Sequence, residues 1–119
     1  MIFRHVTISV KDMEKSIQFY KDVTGQPIKR RFTAGESEIV FLGAGETEIE
    51  LIYTQAKSDV SFGPDISLGF EVESLEDTIK FLKQKNIDVG KVIQPNPHVR
   101  FAFAADPNGL TIQFVENIK

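Results

Sequence analysis

Apolar and polar residues alternate at the start of the chain and then change period. Residues 2–10 alternate as in a half-buried strand, after which Met13, Ile17 and Tyr20 recur at helical spacing. The same switch returns later, with alternation over residues 66–72 followed by Leu75, Ile79 and Leu82 at helical spacing. Asp12 and Ser74 stand where N-caps belong, and Ser74 with Asp77 forms a capping-box pattern with Asp in the place of Glu. Gly25 stops the first helix, and Lys83, Lys85 and Asn86 mark the end of the second. Further strands are predicted at residues 28–32, 39–42 and 48–53, and again at 89–92, 100–104 and 110–115. Gly43-Ala44-Gly45 suits a tight turn, and Asp106-Pro107-Asn108-Gly109 suits a hairpin turn. Residues 54–65, with Gly63-Pro64, read as a polar surface linker.

The recurrence is a duplication. Residues 10–21 lie over residues 72–83 at an offset of about 62, and their apolar positions agree without a gap. Two occurrences of so long a period suit two half-domains sharing one sheet better than a solenoid. The expected organisation is one domain over 1–119, with modules at about 1–56 and 64–119.

Alternation also sorts residues by face. Val6, Ile8 and Val10 oppose His5, Thr7 and Ser9; Ile49, Leu51 and Tyr53 oppose Glu48, Glu50 and Ile52. In the second half Leu68, Phe70 and Val72 oppose Ser67, Gly69 and Glu71, while Leu110, Ile112 and Phe114 oppose Thr111, Gln113 and Val115. The polar set either faces water or gathers around a ligand. The duplication matches His5 with Ser67 at an offset of 62 and Glu50 with Gln113 at 63. Phe19, Phe70, Phe81 and Phe114 are expected in the core; Phe32, Phe41, Phe62, Phe101 and Phe103 suit either core or ligand surface. Arg30, Arg31 and Arg100 either attract a carboxylate or phosphate or are ordinary surface charges.

Composition narrows the partners. The 119 residues carry 14 Lys and Arg against 17 Asp and Glu, a net charge of -3, so there is no broad cationic surface for nucleic acid. Without cysteine there is no disulfide, no thiolate nucleophile and no Cys-ligated metal. The first residues do not read as a signal peptide, and no apolar run approaches the roughly 20 residues of a membrane span. A soluble, cytoplasmic protein is expected. Gly43-Ala44-Gly45 is too short for a phosphate loop, and no Ser-His-Asp arrangement is evident.

Three segments carry a family resemblance: residues 5–20, from His5-Val6-Thr7-Ile8-Ser9-Val10 into the helix; Ile49-Glu50-Leu51-Ile52-Tyr53; and residues 106–114, from Asp106-Pro107-Asn108-Gly109 to Phe114. With them the chain resembles the vicinal oxygen chelate superfamily, which includes glyoxalase I, extradiol dioxygenases and antibiotic-binding resistance proteins. The resemblance implies an α+β fold of two paired βαβββ modules, a curled mixed sheet around a U-shaped cleft, and a homodimer. It further implies metal ligands from the first and fourth strands of each module, which match His5, Glu50, Ser67 and Gln113. His5 and Glu50 are thus the candidate ligands for zinc, nickel, cobalt, manganese or iron, and Glu50 the candidate catalytic base. Ser67 and Gln113 are neutral and bind such metals weakly, so the cofactor is a divalent metal or none. His98 lies before the seventh strand, away from the ligand positions; it reads as a loop histidine, with a ligand or acid-base role as the alternative. Candidate substrate contacts are Thr7, Ser9, Glu48, Ser67, Glu71, Arg100, Thr111 and Gln113.

Three functions follow as expectations, all centred on a small molecule or its loss. One is a metal-dependent lyase or isomerase with an altered site, in which the metal stabilises developing oxyanion charge; full glyoxalase I activity is not expected of it. Another is a metal-free protein that binds a small molecule or antibiotic. The last is a structural or regulatory dimer without a working site.

Overall fold

The computed structural model describes residues 1–57 and 59–119; Ser58, inside the expected linker, lies outside the described residues. The chain divides into two compact units, Met1–Ser61 and Phe62–Lys119. In each, a strand runs into a capped helix and three more strands follow.

In the first unit β1 (His5–Ser9) leads into α1 (Met13–Gln18). Asp12 is its N-cap, accepting the Lys15 amide at 3.1 Å, which satisfies a donor the first turn leaves unpaired. The helix loosens into a π-helical turn, Phe19–Val23, and the chain reverses at Gly25 with φ +78°. Then come β2 (Ile28–Ala34), β3 (Ser37–Leu42) and β4 (Glu48–Thr54). The sheet order is β1-β4-β3-β2, with β1 parallel to β4 and the other pairs antiparallel. Ile8, Val10, Tyr20, Val40, Leu42 and Leu51 are buried together with the apolar side of α1, as the alternation predicts. Each such side chain contributes about 1.5–3 kcal/mol by leaving water.

The second unit repeats the plan with β5 (Ser67–Glu71), α2 (Leu75–Gln84), β6 (Ile93–Asn96), β7 (Val99–Ala105) and β8 (Thr111–Asn117), in the order β5-β8-β7-β6. Ser74 caps α2 by accepting the Asp77 amide at 3.1 Å. The β7–β8 connection is fixed by Asp106, whose Oδ1 accepts the amides of Asn108 and Leu110 at 2.8 Å each, with Gly109 at φ +87°. Leu75, Leu82, Ala102, Leu110, Ile112 and Phe114 form its core.

Several expectations change. Each repeat closes its own four-stranded sheet, where the duplication alone had suggested one shared sheet. The strand expected at residues 89–92 is instead β6 at Ile93–Asn96, with Pro95 inside it. Proline ends a central strand, but β6 is the edge of its sheet, where a missing amide leaves no ladder bond unmade. Phe81 is 37% exposed and not in the core: it lies off the Leu75–Ile79–Leu82 stripe of α2, and Lys85 Nζ sits 5.2 Å from its ring centroid. Val60 is buried, so the linker is not wholly a surface segment. The β3–β4 connection runs over residues 43–47, longer than a tight turn.

Candidate functional site

The parallel pairing of β1 with β4 sets Thr7 opposite Glu50 and His5 opposite Glu48. These side chains share the face turned away from α1, because Arg31, on the other face of β2, reaches Glu14 of that helix. Thr7 Oγ1 donates to Glu50 Oε1 at 2.5 Å, and His5 Nε2 stands 3.7 Å from the same oxygen. The Glu50 side chain is 16% exposed, so its carboxylate is reachable but held. Ser9 belongs to the same face, next to Ile52 in register.

The row continues across the sheet. Phe41 on β3 pairs with Glu50 in register, and Arg30 on β2 pairs with Phe41. The Phe41 ring meets His5 edge-on at 5.6 Å and Phe32 in a stacked arrangement at 6.3 Å. The Arg30 guanidinium carbon lies 4.1 Å over the Phe41 centroid. A register shift between Ile28 and Arg30 marks a bulge, and it turns both Lys29 and Arg30 toward Glu48. Lys29 Nζ and Arg30 Nη2 each donate to the Glu48 carboxylate at 2.9 Å. The Lys29 hydrogen bond, reinforced by that of Arg30, holds this carboxyl below the usual carboxylate range despite its burial. Glu48 is therefore engaged in a network of its own sheet.

In the second unit the equivalent pairing sets Ser67 opposite Thr111 and Gly69 opposite Gln113, with Phe103 next to Gln113. Ser67, Thr111 and Phe103 help line an open depression of about 390 Å³ with Pro64, Asp65 and Ile66. Glu71 is exposed on the same face, opposite Val115 in register. Arg100 stands apart from these residues. It lies on the α2 side of its sheet and donates to the Glu116 carboxylate at 3.1 and 3.3 Å, while Glu116 also accepts the Leu75 amide at 2.7 Å. That amide first, and Arg100 second, hold the Glu116 carboxyl below the usual range. Arg100 therefore ties α2 to its sheet. His98 is exposed in the two-residue turn between β6 and β7.

Three more residues complete the first-unit face: Lys29, which the sequence pattern did not single out, and Arg30 and Phe41, for which it left a surface or core role beside a ligand role. Phe41 and Phe103 sit 62 positions apart, the offset of the duplication, which is the signal that could have singled out Phe41.

The metal implied by the resemblance needs a donor set, and the residues present do not fit one. His5 and Glu50 are two good ligands, but Glu50 is hydrogen-bonded by Thr7, and the equivalent positions of the second unit offer a hydroxyl and an amide. Among the described residues no group of three His, Asp or Glu side chains could hold an ion. Catalytic zinc sites draw on three protein ligands.

Comparison with known proteins gives four points of reference. The description Glyoxalase/Bleomycin resistance protein/Dioxygenase superfamily matches residues 2–114. A protein of Synechocystis sp. named "probable lactoylglutathione lyase" is 32% identical over 130 residues, covering 98% of this chain and 95% of its own. Among solved structures, a trypanothione-dependent glyoxalase I of Leishmania major superposes with a TM-score of 0.85 at 22% identity, covering 98% of this chain and 86% of its own. An antibiotic binding protein from Streptomyces sp. CB03234 does so at 0.80 and 16% identity, covering 98% and 96%. No described helix is long and apolar enough to cross a membrane.

Proposed function

The chain belongs to the Glyoxalase/Bleomycin resistance protein/Dioxygenase superfamily, and on that premise we propose that it handles a small organic molecule by binding it on the polar face of the first unit, without a resident metal. The observation that carries this reading is the Glu50 carboxylate, 16% exposed, with Thr7 and His5 as its neighbours. A carboxylate that accepts one hydroxyl keeps lone pairs for a ligand ammonium or hydroxyl group. His5 supplies a ring nitrogen beside it. Ser9 is a further proposed contact there, and Ser67, Glu71, Thr111 and Gln113 are proposed contacts of the second unit's own polar face. The homodimer and the cytoplasmic setting belong to the same proposal; light scattering that returns the mass of a single chain would remove the first.

The test joins elemental analysis to ligand binding. Protein reconstituted with zinc, nickel, cobalt, manganese or iron and then dialysed should retain none stoichiometrically. Metal-free protein should bind polar aromatic amines saturably, and Glu50→Gln should weaken them about tenfold, as expected on losing a hydrogen bond to a charged group. A second reading, a lyase or isomerase with an altered site, is favoured by the relative named as a lactoylglutathione lyase. Turnover of the methylglyoxal–glutathione adduct only on addition of nickel or zinc would select it over the first.

A further inference from the structure

We propose that Arg30 is the anion-recognition residue of the first-unit face, so that the molecule bound there carries a carboxylate or similar planar anion at one end and an ammonium or hydroxyl donor at the other. This rests on the binding reading above and names the ligand class for that site.

The arrangement begins with the register. Thr7, Glu50, Phe41 and Arg30 form one row across β1, β4, β3 and β2. The backbones of Glu50 and Arg30 are two strands apart, about 9.5 Å at the usual strand spacing, and the Arg30 side chain reaches back over Phe41 of the strand between them. A negative and a positive group are thus presented on one face, close enough for a small zwitterion to meet both.

Arg30 is also built to hold its position. Phe41 lies under its guanidinium at 4.1 Å, and Glu48 takes one of its terminal nitrogens at 2.9 Å. Its side chain is nonetheless 51% exposed, leaving the outer guanidinium face and remaining N–H groups for a ligand. A guanidinium fixed on an aromatic ring loses less freedom on binding and meets a carboxylate with two parallel donors.

Charge bookkeeping separates Arg30 from the other arginines of the sheets. Arg31 lies between two carboxylates, Glu14 and Glu38, and the charge of Arg100 is matched by Glu116. Arg30 shares Glu48 with Lys29, so two cations face one carboxylate and a net positive charge remains at the surface. The position matching Glu48 in the second unit is Thr111, so this device belongs to the first unit alone.

The experiment uses three probes on full-length metal-free protein, read by NMR shift titration: 4-(aminomethyl)benzoate, its methyl ester, which lacks the anion, and 4-methylbenzoate, which lacks the cation. Wild type should bind the zwitterion about tenfold more tightly than the ester, the scale of one charge-assisted bidentate contact. Arg30→Gln should bring the zwitterion down to the ester and leave the ester unchanged, while Arg30→Lys should restore only part of the difference. Thermal melts of both variants check that they fold. Equal binding of zwitterion and ester to wild type, or a preference that survives Arg30→Gln, overturns the assignment of Arg30. If ester binding still falls in Glu50→Gln, the binding reading stands without it; no saturable binding of any probe at millimolar concentration overturns both.

Discussion

The two units share a backbone plan down to its register. In each, the first strand runs parallel to the fourth, and one residue of the first strand faces one of the fourth with a phenylalanine beside it: Thr7, Glu50 and Phe41 in one, Gly69, Gln113 and Phe103 in the other. Their apolar faces agree as well, since both must bury a helix against a sheet. The polar faces do not agree. At His5, Thr7 and Glu50 the first unit presents imidazole, hydroxyl and carboxylate, and at the matching Ser67, Gly69 and Gln113 the second presents hydroxyl, glycine and amide. Packing fixes the side of the sheet that carries the core and leaves the other side free to change chemistry. A carboxylate there is met by a donor, the Thr7 hydroxyl, with the His5 ring beside it; the neutral amide of the second unit carries no charge to be met.

The largest effect should come from erasing this difference. Ser67→His with Gln113→Glu gives the second unit the donor types of the first. A polar aromatic amine that binds the wild type at one site per chain should then bind at two, since each unit carries a carboxylate on its polar face. NMR shift titration reads the stoichiometry directly. A double variant that still binds one amine would mean that the units differ in more than their donor types.

A smaller effect separates the carboxylates that each unit commits to its own network. Glu48 joins β4 to Lys29 and Arg30 of β2, and Glu116 joins β8 to Arg100 of β7 and to the first turn of α2. Both carboxyls are held below their ordinary value of 4.5 in the folded protein. The unfolded chain therefore takes up their protons first, so their stabilisation is full above that value and is lost as pH falls through the lower folded values. Glu48→Gln and Glu116→Gln should each lower the melting temperature at neutral pH and flatten its fall in acid. Only Glu48→Gln should also weaken the preference for a zwitterionic probe, because it releases Arg30. An acid limb unchanged in either variant would remove that carboxylate from the account.

Much of this was legible in the sequence, and the failures have physical causes. The caps at Asp12 and Ser74, the buried stripe of Met13, Ile17 and Tyr20, and the shared face of His5, Thr7 and Glu50 follow from local period and short-range chemistry. Arg30 did not, because simple alternation sends Lys29 and Arg30 to opposite faces, and only the bulge brings both to Glu48. The network role of Glu48 depends on residues two strands away. Arg100 was readable in principle: it shares parity with Ala102 and Ala104, which pack on the α2 side, against Phe101 and Phe103. Strand β6 was misplaced because the cost of Pro95 depends on whether its strand is an edge, which only the sheet order reveals.

The smallest expected effect tests the equivalence of Thr7 and Gly69 themselves. A Cβ added at Gly69 would meet Gln113 Oε1 at 3.4 Å, an ordinary contact with the movable end of a side chain, and the backbone there is not left-handed. Gly69→Ala should then stabilise the protein by about 0.4–1 kcal/mol, through the freedom it removes from the unfolded chain. At the matching position Thr7→Ala removes the hydroxyl that donates to Glu50 and should destabilise by about 1 kcal/mol. Urea denaturation measures both. Opposite signs at two residues in the same register would mean that the strand tolerates either side chain and that the carboxylate alone makes the hydroxyl necessary. If both variants destabilise, glycine at position 69 answers a backbone demand, and the polar face of the second unit is constrained by its fold as well as freed by its chemistry.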